Sequence, residues 1–459
     1  MTPTHHNWDA IVVGSGQAGT PLARKLAKAG LNTVIFEKEH VGGTCVNEGC
    51  TPTKTMIADA RIAQTVRTAG DRGIHTEGLT IDLAAIIARK NQVVDSARTS
   101  NEKGLVMPNL TLIRENAVFT GEKTLSAGGA THTADRIFIN TGCSPVIPAL
   151  DGLKDIPYLT SKTILDIPVV PRHLIVLGGG YIALEMGQLF RRLGSEVTII
   201  ERGAALMARE DQDIRDAMRD ILEGEGIRIL LGTSVERVWS GAGVADTAAV
   251  TLETSAGPVS GSHLLVATGR AAGTAALGVD KAGIAVDAHG FIKVNEYLET
   301  SVPGVYALGD VKGGPAFTHI SYNDYVIIAA NILQGRRLST TDRQVPYTVF
   351  TDPQLGRIGL TETEARAQGR PIQVATLPMT HVARAIETGD TRGLMKAVVD
   401  TETRQILGAA ILGTEGGEIM TILQMAMTGT VTYDHLRDMV FAHPLYAESI
   451  NNLFLTLEH

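Results

Sequence analysis

Two of the chain's three cysteines, Cys45 and Cys50, fall in one short segment, Gly42-Gly43-Thr44-Cys45-Val46-Asn47-Glu48-Gly49-Cys50-Thr51-Pro52-Thr53-Lys54. Read as helix, the segment sets the two thiols a little over one turn apart, so a bridge between them requires a distorted turn. An early-helix position and a nearby cation both favour thiolate, the reactive form of cysteine. Lys54, four residues beyond Cys50, shares a helix face with it. Structural zinc wants four ligands, usually with closer pairs, and only Cys143 remains. The pair therefore reads as redox-active. Far along the chain, His443 and Glu448 stand five apart across a turn opened by Pro444. A histidine poised near neutral pH can take a proton from an attacking thiol and return it to a leaving one. A carboxylate on its other ring nitrogen fixes the tautomer.

The elements that position these groups begin with an apolar strand at Asp9–Val13. It runs into Gly14-Ser15-Gly16-Gln17-Ala18-Gly19, then a helix ending near Gly30, then a strand Leu31–Phe36 that delivers Glu37. Strand, glycine turn, helix, strand and acid in that order form a dinucleotide fingerprint in its required context. The pattern recurs at a constant offset: Gly178 answers Gly14, Gly180 answers Gly16, Gly194 answers Gly30 and Glu201 answers Glu37. Two dinucleotide units in one chain imply electron transfer between them. Between the two units Thr80–Gly104 reads as helix and Leu110–Thr120 as strand. Strands at Arg136–Asn140 and His263–Ala267 run into Thr141-Gly142 and Thr268-Gly269-Arg270, as chain returning to each unit. Five prolines between Pro145 and Pro171 mark a domain crossover. Val305-Tyr306-Ala307-Leu308-Gly309-Asp310 is a further strand with an acid at its carboxyl end. After Val345, strands at Tyr347–Phe350, Gly393–Val399 and Ile406–Ile411 and a helix Glu415–Met427 read as an α+β domain.

At 459 residues the chain is long enough for about three domains, each burying its own core. A net charge of -8 supplies no electrostatic footprint for nucleic acid. No apolar run approaches the ~20 residues of a membrane span, and Met1–Trp8 is polar. The expectation is a cytoplasmic protein. An odd, small number of cysteines argues against a disulfide framework.

The segment Gly42–Lys54 closely resembles the active-site motif of the flavoprotein disulfide reductases, which include glutathione reductase, lipoamide dehydrogenase and mercuric reductase. The resemblance extends along essentially the whole chain. It implies an α/β fold with two Rossmann-like dinucleotide-binding domains, for FAD and NAD(P), and a carboxyl-terminal α+β dimerisation domain. The implied layout is an FAD domain in 1–145 and 271–345, an NAD(P) domain in 146–270 and an interface domain in 346–456; the terminal Leu457-Glu458-His459 reads as a tag remnant. By the same resemblance Gly14, Gly16 and Gly19 admit the FAD pyrophosphate and Glu37 holds the adenosine ribose. Gly43, Thr44, Ala117, Thr141, Gly142, Gly309 and Asp310 line the rest of the flavin site. Cys50 faces the flavin and Cys45 faces substrate. Lys54 and Glu185 form a pair beside the hydride-accepting nitrogen, and Tyr181 covers the flavin until nicotinamide displaces it. Gly178, Gly180, Ala183, Glu201, Arg202, Gly269 and Arg270 fall to the nicotinamide nucleotide. His443 and Glu448 come from the partner subunit, so the homodimer is the catalytic unit. The family's threonine after His-Pro is replaced by Leu445 and Tyr446, which alters the substrate-facing wall. His319 is left open between a surface or core histidine and one approaching the flavin.

The nicotinamide preference is mixed. Glu201 and Gly187 favour NADH, Arg202 and Ala183 favour NADPH. The implied activity is NAD(P)H-dependent reduction of a small disulfide through Cys45 and Cys50, with no metal site. Resemblance to the mercuric-reductase-like members rests on Cys50–Met56 and Thr318–Asp324. A dedicated mercury enzyme also uses a late cysteine pair to capture the soft ion, and no cysteine follows Cys143. Copper reductases of the reactive-chlorine response lack that pair too and stay open. A diaphorase passing electrons to quinones is a third alternative, one that would not need Cys45.

Overall fold

The computed structural model describes residues 4–241 and 249–458. Its amino-terminal unit is a sheet in which Leu110–Ile113, Thr33–Phe36, His5–Val13 and Ala130–Ile139 run parallel in that order, with Val305–Ala307 parallel to the end of the last. The run Ala10–Val13 is buried throughout, as a parallel strand covered on both faces must be. Against it the helix Gly19–Lys28 buries Leu22, Ala23 and Leu26. The sheet extends on one side through two short antiparallel strands, Val118–Gly121 and Thr124–Ala127. The expected strand Leu110–Thr120 is therefore two strands, which pair with different partners.

The second unit repeats this logic. Arg228–Leu230, Glu196–Ile200, His173–Leu177 and His263–Val266 form a four-stranded parallel sheet, and a small antiparallel sheet of Val235–Gly241, Ala249–Thr254 and Val259–Gly261 lies alongside. In both units the first strand has its successor on one side and the returning strand on the other. That is the switch point where open α/β sheets hold ligands. The repeat extends to atomic contacts. A Cβ on Gly14 (φ +97°) would lie 2.4 Å from the Asn140 carbonyl oxygen, and one on Gly178 (φ +117°) 2.5 Å from that of Ala267. Only glycine fits either turn.

The chain crosses between the units on a two-stranded ribbon, Cys143–Pro145 antiparallel to Arg270–Ala272. The carboxyl-terminal domain is a five-stranded antiparallel sheet in the order Tyr347–Val349, Gln354–Gly359, Ile406–Gly413, Leu394–Asp400 and Ile372–Pro378. The helices Gly416–Thr428 and Ser449–Leu455 bury Ile419, Met420, Leu423, Ile450, Leu453 and Phe454 in its core. Two Rossmann-like units and a distinct α+β domain are thus present. No helix among the described residues is long and apolar enough to cross a membrane.

Candidate active site

Cys45 and Cys50 do not share one helix. Gly42, in the left-handed region at φ 110°, caps a five-residue helix Gly43–Asn47. The chain breaks at Glu48 and Gly49, and Cys50 starts a new helix, Cys50–Thr68. Gly49 makes the break possible, because a Cβ there would sit 2.9 Å from the Thr44 carbonyl oxygen. The distortion that a bridge requires is built in. Both thiols are free, Cys45 half-buried and Cys50 exposed in the single chain. A hydrogen bond from Cys45 pulls the Cys50 thiol well below its ordinary range. Burial opposes this, while the Thr318 hydroxyl, 3.4 Å from Sγ, and the Lys54 charge assist it. Cys45 is driven the opposite way, first by its bond to Cys50 and then by burial. The two influences act in opposite directions, favouring Cys50 as the thiolate of the reduced pair and Cys45 as its thiol.

Lys54 leans from the same helix toward the second unit, where its Nζ lies 2.7 Å from Glu185 Oε2. Glu185 is 4% exposed, and its other oxygen accepts from the Phe350 N–H at 2.8 Å. This contact joins the cysteine helix, the second unit and the carboxyl-terminal domain at one point.

All of these groups line a single cavity of about 950 Å³. Gly14, Gly16, Glu37, Gly43, Thr44, Ala117, Thr141, Gly142, Tyr181, Arg270 and Asp310 also line it. Gly19 lies behind the turn and donates its N–H to Asn140 Oδ1 at 2.9 Å. Glu37 is 8% exposed and accepts from the Ser15 N–H and hydroxyl at 3.0 and 2.6 Å and from the Glu39 N–H at 2.8 Å. A carboxylate has about four lone-pair sites, so one remains for a ligand hydroxyl.

The cavity fits FAD on the observations that matter for that group. A glycine turn leaves room for a pyrophosphate at a helix N-terminus. Gly43 backs onto Gly16 so closely that a Cβ there would be 2.7 Å from the Gly16 Cα. Thr141 Oγ1 and Arg270 Nε are buried without a partner in the protein. Gly14→Ala is accordingly expected to yield folded protein with less than about a tenth of the wild-type bound flavin, since both φ and contact forbid the methyl group. The flavin-to-protein absorbance ratio after purification checks this.

The remaining expected site residues lie elsewhere. Gly178, Gly180, Glu201 and Arg202 stand at the switch point of the second unit, outside this cavity, with Gly269 beside its returning strand. Glu201 packs on the glycine turn as Glu37 does on its own, and its Oε1 accepts from the Gly203 N–H at 2.5 Å. Ala183 is fully buried, and a Cβ on Gly187 would touch Ile199 at 3.3 Å. Both positions pack this helix against the core of the second unit. Gly309, at φ +71°, lies behind Asp310, against Ser321 and Asn140.

His443 Nδ1 lies 2.9 Å from Glu448 Oε1, and the Glu448 carboxylate also accepts from the Leu445 N–H at 3.2 Å. The carboxylate raises the histidine above its ordinary value. The His443 side chain is 71% exposed and lines no part of its own chain's cavity. Leu445 and Tyr446 part company. Leu445 is exposed, while the Tyr446 hydroxyl shares a 2.6 Å hydrogen bond with Thr388 and its ring joins the carboxyl-terminal core. His319 proves to line the cavity, stacked on Phe317 with Nε2 2.6 Å from the Pro346 carbonyl oxygen.

The family model described as pyridine nucleotide-disulphide oxidoreductase matches residues 8–324, and the dimerisation-domain model of that description matches residues 345–454. The chain belongs to the pyridine nucleotide-disulphide oxidoreductase family. Its similarity to "Probable pyridine nucleotide-disulfide oxidoreductase RclA" of Escherichia coli (strain K12) is 39% identity over 98% of this chain and 99% of that one. A mercuric reductase from Lysinibacillus sphaericus is 33% identical over 98% of this chain and 83% of its own. A solved structure described as a Cu(II) complex of the HOCl-induced flavoprotein disulfide reductase RclA from Escherichia coli superposes with a TM-score of 0.90. It shares 38% identity and covers 98% of this chain and 99% of that one. The mercuric-reductase likeness is thus one of family, and RclA matches over a larger share of its own length.

In this oxidoreductase several cavity residues carry no chemical assignment in the one-dimensional pattern. Phe317, Tyr347 and Phe350 reach the cysteine cavity from two later segments, and so does Thr318, which the pattern marks only as the start of a resembling segment. Asn140 ties the first glycine turn to Leu308 through both ends of its amide. Only its position after a strand resembling the returning strand of the second unit could have flagged it. For Lys54→Met we expect Glu185 to be left as a buried carboxylate with one N–H partner, at a cost of about 2 kcal/mol in unfolding free energy. Loss of the Lys54 charge also raises the Cys50 thiol. Denaturant midpoints and alkylation rates against pH measure the two effects separately.

Proposed function

We propose that this FAD- and NAD(P)H-dependent disulfide oxidoreductase reduces a small disulfide at Cys45 and Cys50. The observation carrying the proposal is the two free cysteines, Cys45 and Cys50, lining one cavity beside Lys54, Glu185 and Thr318. Residues 1–145 and 271–345 would hold FAD, 146–270 the nicotinamide nucleotide, and 346–456 the subunit interface. Cysteines used in this redox cycle suit a reducing cytoplasm.

Bound FAD would relay two electrons from the nicotinamide to the Cys45–Cys50 disulfide, opening it. Tyr181, Lys54 and Glu185 line the cavity that would hold FAD: Tyr181 would shield the flavin until the nicotinamide enters, and the Lys54–Glu185 pair would set the charge beside it. In the opened pair Cys50 carries the negative charge, which keeps Cys45 protonated. Cys45 therefore needs a base before it attacks. His443 of the partner subunit takes that proton, with Glu448 holding its tautomer. Cys45 sulfur then bonds to one substrate sulfur as the substrate's S–S bond breaks, and the first thiol leaves with the proton from His443. Cys50 next attacks Cys45, restoring the protein disulfide and releasing the second thiol. One NAD(P)H and one proton are consumed for each disulfide converted to two thiols.

A second reading, cupric-ion reduction, is favoured by the Cu(II) complexes of the similar Escherichia coli protein, one of them of a cysteine-to-serine mutant. One anaerobic panel separates the readings. NADH and NADPH oxidation would be followed with small disulfides, lipoamide, mercuric and cupric ions and a quinone, for wild type and Cys45→Ala. Disulfide turnover abolished by the substitution supports the proposal. Cupric turnover with every disulfide idle replaces it with the metal reading.

A further inference from the structure

Tyr181 opens the helix Tyr181–Leu193 directly after the second glycine turn, and its ring lies 6.0 Å from that of Phe317, tilted by 36°. Phe317 is stacked on Tyr347 at 5.2 Å and 9°, and on His319 at 5.4 Å and 11°. One phenylalanine thus contacts rings from the second unit, the helix Thr318–Gln334 and the carboxyl-terminal domain. Aromatic attraction depends on offset and angle, so the value of the stack depends on what fixes its outer ring. That ring is pinned. The Tyr347 hydroxyl donates to Glu210 Oε1, and Glu210 Oε2 accepts from Arg357 Nε at 3.1 Å, with both charged side chains 4% exposed. Burial and the Glu210 carboxylate push the Tyr347 phenol up, which keeps it a donor.

Glu210 belongs to the segment that follows Glu201 and Arg202. In that segment the Met207 N–H donates to the Gly179 carbonyl at 3.0 Å. The contacts close a circuit from the glycine turn through Met207, Glu210, Tyr347 and Phe317 to Tyr181, two residues beyond Gly179. Nothing in the reaction described above uses Phe317, Tyr347 or Glu210.

We propose that Phe317 and Tyr347 are positioning residues that hold Tyr181 in its resting place, and that the Tyr347–Glu210 hydrogen bond ties this hold to the nucleotide-binding segment. The inference rests on the reading of Tyr181 as the flavin's cover. A nicotinamide that displaces Tyr181 must break its contact with Phe317. Apparent affinity is then reduced by the fraction of molecules in which the cover is open. Loosening the stack raises that fraction.

The test is a titration of purified holoenzyme with NAD+ or NADP+, whichever the wild type binds more tightly, followed by flavin fluorescence, with melting curves for each variant. Tyr347→Phe removes the tie and keeps the ring; Phe317→Leu removes the stack; Tyr181→Ala removes the cover. All three are expected to bind nucleotide about threefold to tenfold more tightly, the range an aromatic pair's contribution gives as an equilibrium constant. KM for the reduced nucleotide should fall in step. A merely structural role would weaken binding and melting together. Unchanged or weaker binding in Tyr347→Phe and Phe317→Leu, with tighter binding in Tyr181→Ala, overturns the inference and leaves the cover standing. Unchanged binding in Tyr181→Ala removes the cover reading, and the inference with it.

Discussion

Replacing Cys45 by alanine is expected to lower disulfide turnover by at least about a thousandfold, the scale seen when a nucleophile is removed, while quinone reduction by the same preparation persists. The second half of this expectation separates cysteine chemistry from loss of flavin or fold. The substitution also acts on its neighbour. The hydrogen bond from Cys45 is the largest influence lowering the Cys50 thiol, ahead of Thr318 and Lys54. With alanine at 45 that donor is gone, so the Cys50 pKa rises and its thiolate fraction near neutral pH falls. Cys45→Ser keeps an O–H donor and restores part of the depression. Alkylation rates of the two variants against pH would show the Cys50 midpoint lower in the serine variant. The background is small, because burial, and after it Asp310, pushes the third thiol, Cys143, up to about 11. Equal midpoints in the two variants would mean that Cys45 does not set the state of Cys50.

The parts of this molecule legible in its sequence are those dictated by local chemistry. Gly14 and Gly178 announce their turns because no other residue fits a positive φ pressed against the returning strand's carbonyl. Glu37 and Glu201 follow because an acid closing the second strand meets the same turn from its neighbour. Cys45, Cys50 and Lys54 lie within ten residues, so their spacing alone brings them together. What the sequence hid depends on tertiary packing. The break at Glu48-Gly49 sits inside a segment that local pattern makes helical, and it is Gly49, with no Cβ to meet the Thr44 carbonyl oxygen, that lets the chain pass there. Thr318, Phe317, Tyr347 and Phe350 lie more than two hundred residues from the cysteines. None has a spacing to them that marks it: Phe317 and Thr318 arrive at the start of the helix Thr318–Gln334, and Tyr347 and Phe350 arrive with the docking of the carboxyl-terminal domain. Gly187 and Ala183 lie where the helix packs on the second unit's core, so packing constrains their size as well.

His443 poses the opposite problem, a residue whose partner is in plain view and whose target is not. Its ring is bonded to Glu448 and 71% exposed, outside the cavity that holds Cys45. On the mechanism proposed above, the base that serves Cys45 comes from another copy, and His443 lies in the segment matched by the dimerisation-domain model. His443→Gln is therefore expected to lower disulfide turnover by about 10²- to 10⁴-fold, the usual range for a general acid–base group. Glu448→Gln makes a subtler change. Its carboxylate raises the histidine, so removing the charge lowers the His443 pKa. The ring must be neutral to accept the Cys45 proton, and the acid limb of the kcat/KM profile then moves to lower pH even as the plateau drops. The decisive experiment mixes the inactive Cys45→Ala and His443→Gln chains under conditions that exchange subunits. A two-fold dimer of one chain of each kind contains one site with both its cysteines and its histidine, and one with neither Cys45 nor His443. Random pairing makes about half the dimers mixed, each with one working site of two, so about a quarter of wild-type activity should return. If the base served its own chain, every site in every mixed dimer would lack one group, and mixing would restore nothing.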